Sequence, residues 1–217
     1  MRLGLIRHFP VTEGMPTGWN TAAQLSAWRR AYELAAAQPG PADLGGIAWA
    51  HCLSSDLPRA YLTAKTVFSG PITQTDLLRE AQFAEFRTGN LRLPVWGWRL
   101  LLQFTWMTGH RSQRAERDEF RRRVRALAGQ LEAGPQDTLV VSHAGMMMYL
   151  SAELRRRGFS GPKFRWAQHA QVYVFQKASA AVPGAKTNSP DNLRAPMSMR
   201  DEQTKSLDIC EAAKPKS

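Results

Sequence analysis

The chain has 217 residues, 43% of them hydrophobic, which predicts one hydrophobic core with an insertion or a tail rather than two full domains. Lys and Arg number 29 against 18 Asp and Glu, and the formal net charge of +11 favours anionic partners: phosphorylated metabolites, phosphoproteins, nucleic acid or acidic lipid. The two cysteines give neither a disulfide framework nor a metal-ligand spacing. No signal-peptide pattern or membrane-spanning apolar run is present, so we expect a soluble, cytoplasmic protein.

The first half of the chain alternates apolar runs with amphipathic segments, as α/β proteins do. Asn20 or Thr21 can cap the first helix, and Ser55 or Asp56 the second. The predicted elements are a buried strand ending at 7–8, a loop at 11–19, a helix with apolar positions 25, 28, 32 and 35, a strand at 47–53, a helix from 57 to 68, a strand at 72–75 and a loop at 80–89.

Residues 90–110 crowd leucine, tryptophan and phenylalanine together, with only Arg92 and Arg99 as charged residues. We predict a helical insertion here. It either adds to the core or covers the functional site and contacts a substrate or partner.

The sequence of the second half of the chain predicts a basic helix, a strand, a further helix and a last strand. In the helix at 117–132 the arginines at 121, 122, 123 and 125 are interpreted as a solvated face, since no aromatic residues are interleaved for nucleic-acid binding. The strand at 138–141 ends on Ser142-His143, and Gly145 opens the next helix. The last strand covers 171–176, and the polar stretch 178–217 is predicted to be a disordered tail.

Polar side chains follow several predicted strands where each strand ends. These are Arg7-His8, then Ser54-Ser55-Asp56 with Arg59 one turn into the next helix, then Ser142-His143. The carboxyl ends of parallel strands share one edge of a sheet, so these side chains are expected to converge. Two arginines and two histidines on one edge indicate a phosphate site, because the guanidinium fork pairs with phosphate oxygens.

The same residues suggest a reaction. A neutral histidine can attack phosphorus through one ring nitrogen while the other nitrogen donates to a fixed acceptor. A second histidine, when protonated, adds positive charge around the transferred group. Glu80 follows the third strand and is the best-placed acid for the leaving oxygen, because a neighbouring phosphate dianion favours a protonated carboxyl group. Glu85 is the alternative acid.

The chain resembles the histidine phosphatase superfamily, the phosphoglycerate mutase-like group, over roughly residues 2 to 177. Each motif alone is weak, and their order makes them specific. The motifs are Leu5-Ile6-Arg7-His8, Ser54-Ser55-Asp56-Leu57-Pro58-Arg59-Ala60 with Thr63-Ala64, Leu78-Arg79-Glu80 with Phe83 and Glu85, and Val141-Ser142-His143-Ala144-Gly145.

The resemblance implies a catalytic domain at 1–177 with a three-layer α/β fold, in which helices flank a mostly parallel central sheet. It implies that His8 is the nucleophile that becomes phosphohistidine. Arg7, Arg59 and His143 then complete the phosphate pocket, and Glu80 is the proton donor. It also implies that neither a metal nor another cofactor is needed.

The chain departs from the family pattern after the nucleophile. Phe9, followed by Pro10, stands where glycine is usual, and a side chain at position 9 is expected to crowd the pocket mouth and restrict the phosphoesters that enter. The polar residue that usually follows is displaced, which leaves Thr12, Glu13 and Asn20 as loose candidates for contacts. His51, His110 and His169 have no supporting motif and are interpreted as structural or exposed.

These observations predict a phosphomonoester hydrolase acting on a small phosphorylated metabolite. The enzymatic alternatives are a phosphoglycerate-type phosphomutase and a phosphoprotein phosphatase of the same family. A non-catalytic binder of phosphorylated ligands or nucleic acid is disfavoured, because a binder needs the arginines but not the acid. We expect no nucleic-acid or membrane partner, and the sequence does not predict an oligomeric state.

Overall fold

A six-stranded sheet forms the centre of the computed structural model, which describes residues 1–177. The tail predicted at 178–217 lies outside the described residues. The strands of the described residues are β1 (Arg2–Arg7), β2 (Trp19–Asn20), β3 (His51–Ser55), β4 (Ile72–Thr75), β5 (Leu93–Pro94), β6 (Thr138–Ser142), β7 (Phe159–Ser160) and β8 (Val172–Lys177).

The central sheet has the order β4-β3-β6-β1-β8-β7. Its four strands β4, β3, β6 and β1 run parallel, while β8 pairs antiparallel with β1 and with β7. The predicted mostly parallel sheet is therefore confirmed, with one antiparallel edge. The short strands β2 and β5 pair with each other outside this sheet.

Helices cover both faces of the sheet, which confirms the three-layer fold. The helices of the described residues are α1 (Ala22–Leu34), α2 (Pro58–Val67), α3 (Val95–Thr108), α4 (Arg114–Ala133) and α5 (Ala144–Arg156). Because side chains alternate along a strand, Leu5 packs on one face with α4 and α5, and Ile6 on the other with α2.

The second strand was predicted to begin at residue 47, but the observed strand β3 begins at His51. Residues 47–50 are irregular because Trp49 packs beneath the sheet instead of extending it. Its ring lies so close to Gly4 that a Cβ atom there would come within 2.5 Å of the indole. Glycine at position 4 thus makes room for Trp49.

The two predicted helix caps differ in outcome. Thr21 caps α1 through a reciprocal pair of hydrogen bonds with Gln24, as predicted. The prediction for α2 is wrong, because Leu57 is its N-cap residue and makes no side-chain cap. Pro58 begins the helix with its fixed φ, and Asp56 instead accepts from Arg79 at 2.8 Å.

The apolar insertion is helical, as predicted, and only one side of α3 joins the core. Trp98 and Trp106 are buried. The opposite side is exposed to solvent at Trp96 (66%), Leu100 (58%), Phe104 (65%) and Met107 (71%). None of the helices within residues 1–177 combines the length and apolar character needed to cross a membrane.

Candidate active site

Strand register brings two histidines together at the carboxyl edge of the sheet. Arg7 at the end of β1 lies opposite Ser142 at the end of β6, so His8 and His143 emerge side by side. The His8 backbone N–H donates to the Ser142 carbonyl at 3.0 Å, and the two imidazole rings lie 5.1 Å apart. Arg59 approaches from the first turn of α2, and its side chain is buried like theirs.

The His8 ring is held in one tautomer. Its Nδ1 lies 2.6 Å from the Phe9 carbonyl oxygen, which can only accept, so Nδ1 carries the proton. Its Nε2 accepts from Arg59 Nε at 3.3 Å. Burial lowers the pKa of His8 to about 3, and the positive charges of Arg59 and Arg7 act in the same direction. His8 is therefore neutral, with the Nε2 lone pair toward the arginine.

The two arginines are fixed by carbonyl groups and aromatic rings. Arg7 Nη1 donates to the Ala167 carbonyl at 3.0 Å, and its guanidinium lies 4.7 Å from the centre of the Trp166 ring. Arg59 Nη1 donates to the carbonyls of Tyr32 and Glu33 at the end of α1. Burial lowers the pKa of both arginines, while nearby Tyr32 and Glu80 oppose that shift. Two buried cations thus generate a positive potential beside His8.

His143 is also neutral in this arrangement. Burial lowers its pKa well below the ordinary value, and His8 and Arg59 add to the effect. Its Nε2 lies 3.0 Å from Ser55 Oγ. Its Nδ1 and the Nε of Arg7 are buried polar atoms with no hydrogen-bond partner among residues 1–177. Buried polar groups are normally paired, so both atoms retain hydrogen-bonding capacity that a bound phosphate group can use.

Glu80 sits at the N-terminus of α5, next to His143. Its carboxylate accepts from the backbone N–H groups of Ala81, Gly145 and Met146 at 2.9 to 3.0 Å. A Cβ atom on Gly145 would come 2.4 Å from the Glu80 oxygen, so only glycine leaves space for this contact. The alternative acid, Glu85, is exposed and lines a different cavity with Phe86 and Trp98.

Arg123 corrects the prediction that the arginines of α4 form a solvated face. It is half-buried and donates to the carbonyls of Asp76, Arg79 and Glu80 at 3.1 to 3.3 Å. Burial lowers its pKa. Arg123 therefore ties α4 to the segment that carries Glu80.

Three aromatic residues near the site were missed by sequence reasoning. His169 was interpreted as structural or exposed, yet its ring lies 5.3 Å from that of His8 and its Nδ1 lies 2.6 Å from the His8 carbonyl. Trp166 and Tyr32 lie against Arg7 and Arg59. No spacing signals His169 or Trp166, because only the antiparallel pairing of β8 with β1 brings their loop to the site.

The expectation that Phe9 crowds the pocket mouth is wrong. Its side chain is only 1% exposed and packs with Ala37 and Ala170. Its backbone N–H donates to Thr63 Oγ1 at 2.9 Å, which turns the ring away from His8.

The displaced polar candidates are not brought to the site. Thr12 and Glu13 are exposed, and the Asn20 amide donates to the carbonyls of Thr17 and Gly18 in its own loop. Within residues 1–177, no three His, Cys, Asp or Glu side chains are grouped to hold a metal ion.

A family model described as "Histidine phosphatase superfamily (branch 1)" matches residues 23–180, well over half of the chain. The chain belongs to the histidine phosphatase superfamily. The family resemblance expected from the motifs is therefore confirmed. The matched range begins after Arg7 and His8, so the family model does not cover these two residues. Their place in the candidate active site rests on the geometry above.

The chain is similar to several solved structures. The protein of open reading frame Rv3214 from Mycobacterium tuberculosis is 17% identical with a TM-score of 0.50, covering 80% of this chain and 89% of that chain. A mycobacterial glucosyl-3-phosphoglycerate phosphatase is 18% identical, with a TM-score of 0.46 and coverage of 71% and 79%. A phosphoglycerate mutase from Thermus thermophilus is 25% identical, with a TM-score of 0.38 and coverage of 69% and 81%. The search of curated proteins gave no match.

Proposed function

We propose that the protein is a phosphomonoester hydrolase that forms a phosphohistidine at His8. The observation that carries the proposal is the state of His8: Nδ1 is bound to the Phe9 carbonyl, and the unprotonated Nε2 faces Arg59 in a buried cationic pocket. A neutral imidazole with one free lone pair is the form that can attack phosphorus.

In the first step, His8 Nε2 forms a bond to phosphorus and the bond from phosphorus to the alcohol oxygen breaks. Arg7, Arg59 and His143 bind the phosphoryl oxygens, where negative charge is spread in the transition state. Glu80 gives its proton to the leaving alcohol. For this transfer, one carboxyl oxygen must leave its backbone donor at Gly145 or Met146 and turn to the ester oxygen.

In the second step, water attacks the phosphohistidine and its proton passes to Glu80. The bond between phosphorus and His8 Nε2 breaks, inorganic phosphate leaves, and both residues return to their starting states. A phosphomutase needs a second binding site for an anionic group. The residues of α3 and the cavity next to Glu80 are mostly apolar and offer only Arg99 as a cation for such a site, so hydrolysis is favoured.

His8→Ala tests the proposal. We expect loss of phosphate release from p-nitrophenyl phosphate by about 10³-fold or more, because the variant has no nucleophile. The wild-type protein, quenched after mixing with labelled substrate, should carry an acid-labile phosphate that the variant lacks.

His110→Ala is the matched control. His110 is exposed and contacts Ser112, so its loss should leave turnover unchanged. If His8→Ala and His110→Ala hydrolyse the ester equally well, the proposed mechanism is wrong.

A further inference from the structure

A cavity of about 470 Å³ opens beside Glu80, between α3, α5 and the segment that follows Glu80. Its volume lies within the range of sites that enclose a small organic molecule. Most of its wall is apolar and aromatic, contributed by residues that include Phe83, Leu102, Trp106, Phe120 and Met148.

Four polar side chains line this cavity, those of Glu80, Arg99, Gln103 and Tyr149. Backbone N–H groups hold Glu80, and the Tyr149 hydroxyl accepts from the Trp106 indole N–H at 2.7 Å. Arg99 and Gln103 are exposed to solvent. Against the apolar rest of the wall, a ligand rich in hydroxyl groups would lose most of its water hydrogen bonds without replacing them, whereas an apolar ligand would gain from burial.

The cavity and the candidate active site share Glu80. Glu80 binds the backbone of Gly145 and Met146, which directly follow His143 in the chain, and the His143 ring is 5.1 Å from that of His8. With phosphorus held at His8, an ester oxygen that receives the Glu80 proton must face Glu80. The carbon skeleton attached to that oxygen then extends toward the cavity.

We propose that the substrate is the phosphate ester of an apolar, aromatic or similarly bulky alcohol, whose skeleton binds in the cavity beside Glu80. This inference rests on the proposed function, since it uses Glu80 as the acid. Leu102 is the specificity-determining residue to test, because its side chain lines this cavity. It also lines a smaller cavity of about 200 Å³ on the α1 side of α3.

The experiment compares three phosphate esters of primary alcohols, so that leaving-group chemistry is similar. These are ethyl phosphate, 2-(2-naphthyl)ethyl phosphate and glucose 6-phosphate. We expect kcat/KM for the naphthyl ester to exceed that of each other ester by about tenfold or more, since burial of the ring system contributes only where the cavity accepts it. Dissociation constants measured with His8→Ala should follow the same order without turnover.

Leu102→Trp fills the cavity and should reduce the preference for the naphthyl ester about tenfold. Leu100→Trp is the matched control, since it makes the same change two residues away on the exposed side of α3, and it should keep the wild-type preference. Met148→Trp fills the same cavity from α5 and provides a second test if Leu102→Trp does not fold.

The inference is overturned if glucose 6-phosphate or ethyl phosphate is bound and hydrolysed as well as the naphthyl ester. It is also overturned if Leu102→Trp and Leu100→Trp have the same effect. If no ester is hydrolysed but the binding preference persists in wild type and is lost in Leu102→Trp, the hydrolase proposal is wrong and the apolar binding site stands.

Discussion

Two hydrogen bonds at His8 link its sequence position to its chemistry. Because the chain turns immediately after the strand, the Phe9 carbonyl folds back onto His8 Nδ1, and this contact assigns the proton to that nitrogen. Arg59 then faces Nε2 and keeps it unprotonated by charge as well as by burial. The candidate nucleophile therefore needs no separate base to remove its proton.

At Glu80, we predict that the cost of losing the acid depends on the leaving group. Glu80→Gln retains an oxygen acceptor for the α5 backbone but cannot protonate an alkoxide. We expect kcat/KM for ethyl phosphate, which reports the first step, to fall by about 10²- to 10⁴-fold, and kcat/KM for p-nitrophenyl phosphate to fall much less, because nitrophenolate leaves without a proton. Steady-state kinetics on both esters measures the difference.

Glu85→Gln is the control for this prediction, since Glu85 is exposed in the other cavity. Equal losses on both esters in Glu80→Gln would contradict the role of Glu80 as an acid. If Glu85→Gln, and not Glu80→Gln, lowered kcat/KM for ethyl phosphate, Glu85 would be the acid.

At Phe9, burial predicts an effect on stability rather than specificity. Phe9→Leu removes part of a side chain that packs with Ala37 and Ala170, and should lower the free energy of unfolding by about 1 kcal/mol. The ratio of kcat/KM values for large and small esters should stay at the wild-type value. Urea denaturation and the ester panel measure the two effects, and a changed ratio would return Phe9 to the pocket mouth.

Among the elements, the N-terminus of α5 organises the acid. Two backbone N–H groups of its first turn, those of Gly145 and Met146, hold the Glu80 carboxyl group. Arg123 holds the preceding segment from the other side. The acid is thus positioned by two helices that are distant from it in sequence.

Gly145→Ala tests this positioning. The added methyl group would lie 2.4 Å from the Glu80 oxygen and must displace the carboxyl group. We expect kcat for ethyl phosphate to fall by about 10²-fold, and Glu80→Gln combined with Gly145→Ala to be little worse than Glu80→Gln alone. Kinetics of the two single variants and the double variant measure this coupling.

Gly129→Ala is the control on α4, where an added Cβ would meet only the end of Arg157 at 3.7 Å. It should retain full activity. If the losses from Gly145→Ala and Glu80→Gln simply add, the glycine acts independently of Glu80.

Across the whole molecule, the buried histidines link stability to pH. Burial lowers the pKa of His8 to about 3 and also lowers that of His143, whereas both have ordinary values near 6.5 in the unfolded chain. Below pH 6.5 the unfolded chain therefore binds protons that the folded protein does not. Stability should be fully present above pH 6.5 and decrease as the pH falls toward 3, by about 1.4 kcal/mol per pH unit for each histidine.

Urea denaturation at pH 7.5, 6.0 and 5.0 measures this dependence. His8→Ala should show a shallower loss between pH 6.0 and 5.0 than wild type. His110→Ala should follow wild type, because His110 is exposed. Equal slopes in all three proteins would contradict the assignment.

The strand-end motifs were predictable from the sequence. Arg7, His8 and His143 were predictable because parallel strands end at one edge of a sheet, so a polar pair after each apolar run is placed before the rest of the fold is known. The alternation of strands and helices and the helical insertion followed from hydrophobic patterning, and the family resemblance implied the mostly parallel sheet. The order of these motifs also indicated the family that the family model confirms.

Contacts between segments that share no period or motif became visible only in the folded structure. Phe9 looked like an obstacle at the pocket, but Thr63 binds its backbone and the ring enters a small cluster. Arg123 was predicted to be solvated, but it donates hydrogen bonds to the backbone carbonyls of Arg79 and Glu80. His169 had no motif, and the pairing of β8 with β1 brings it to His8. Local patterns indicate the strands, the helices and their apolar faces, whereas the partner of a polar side chain depends on how distant segments pack.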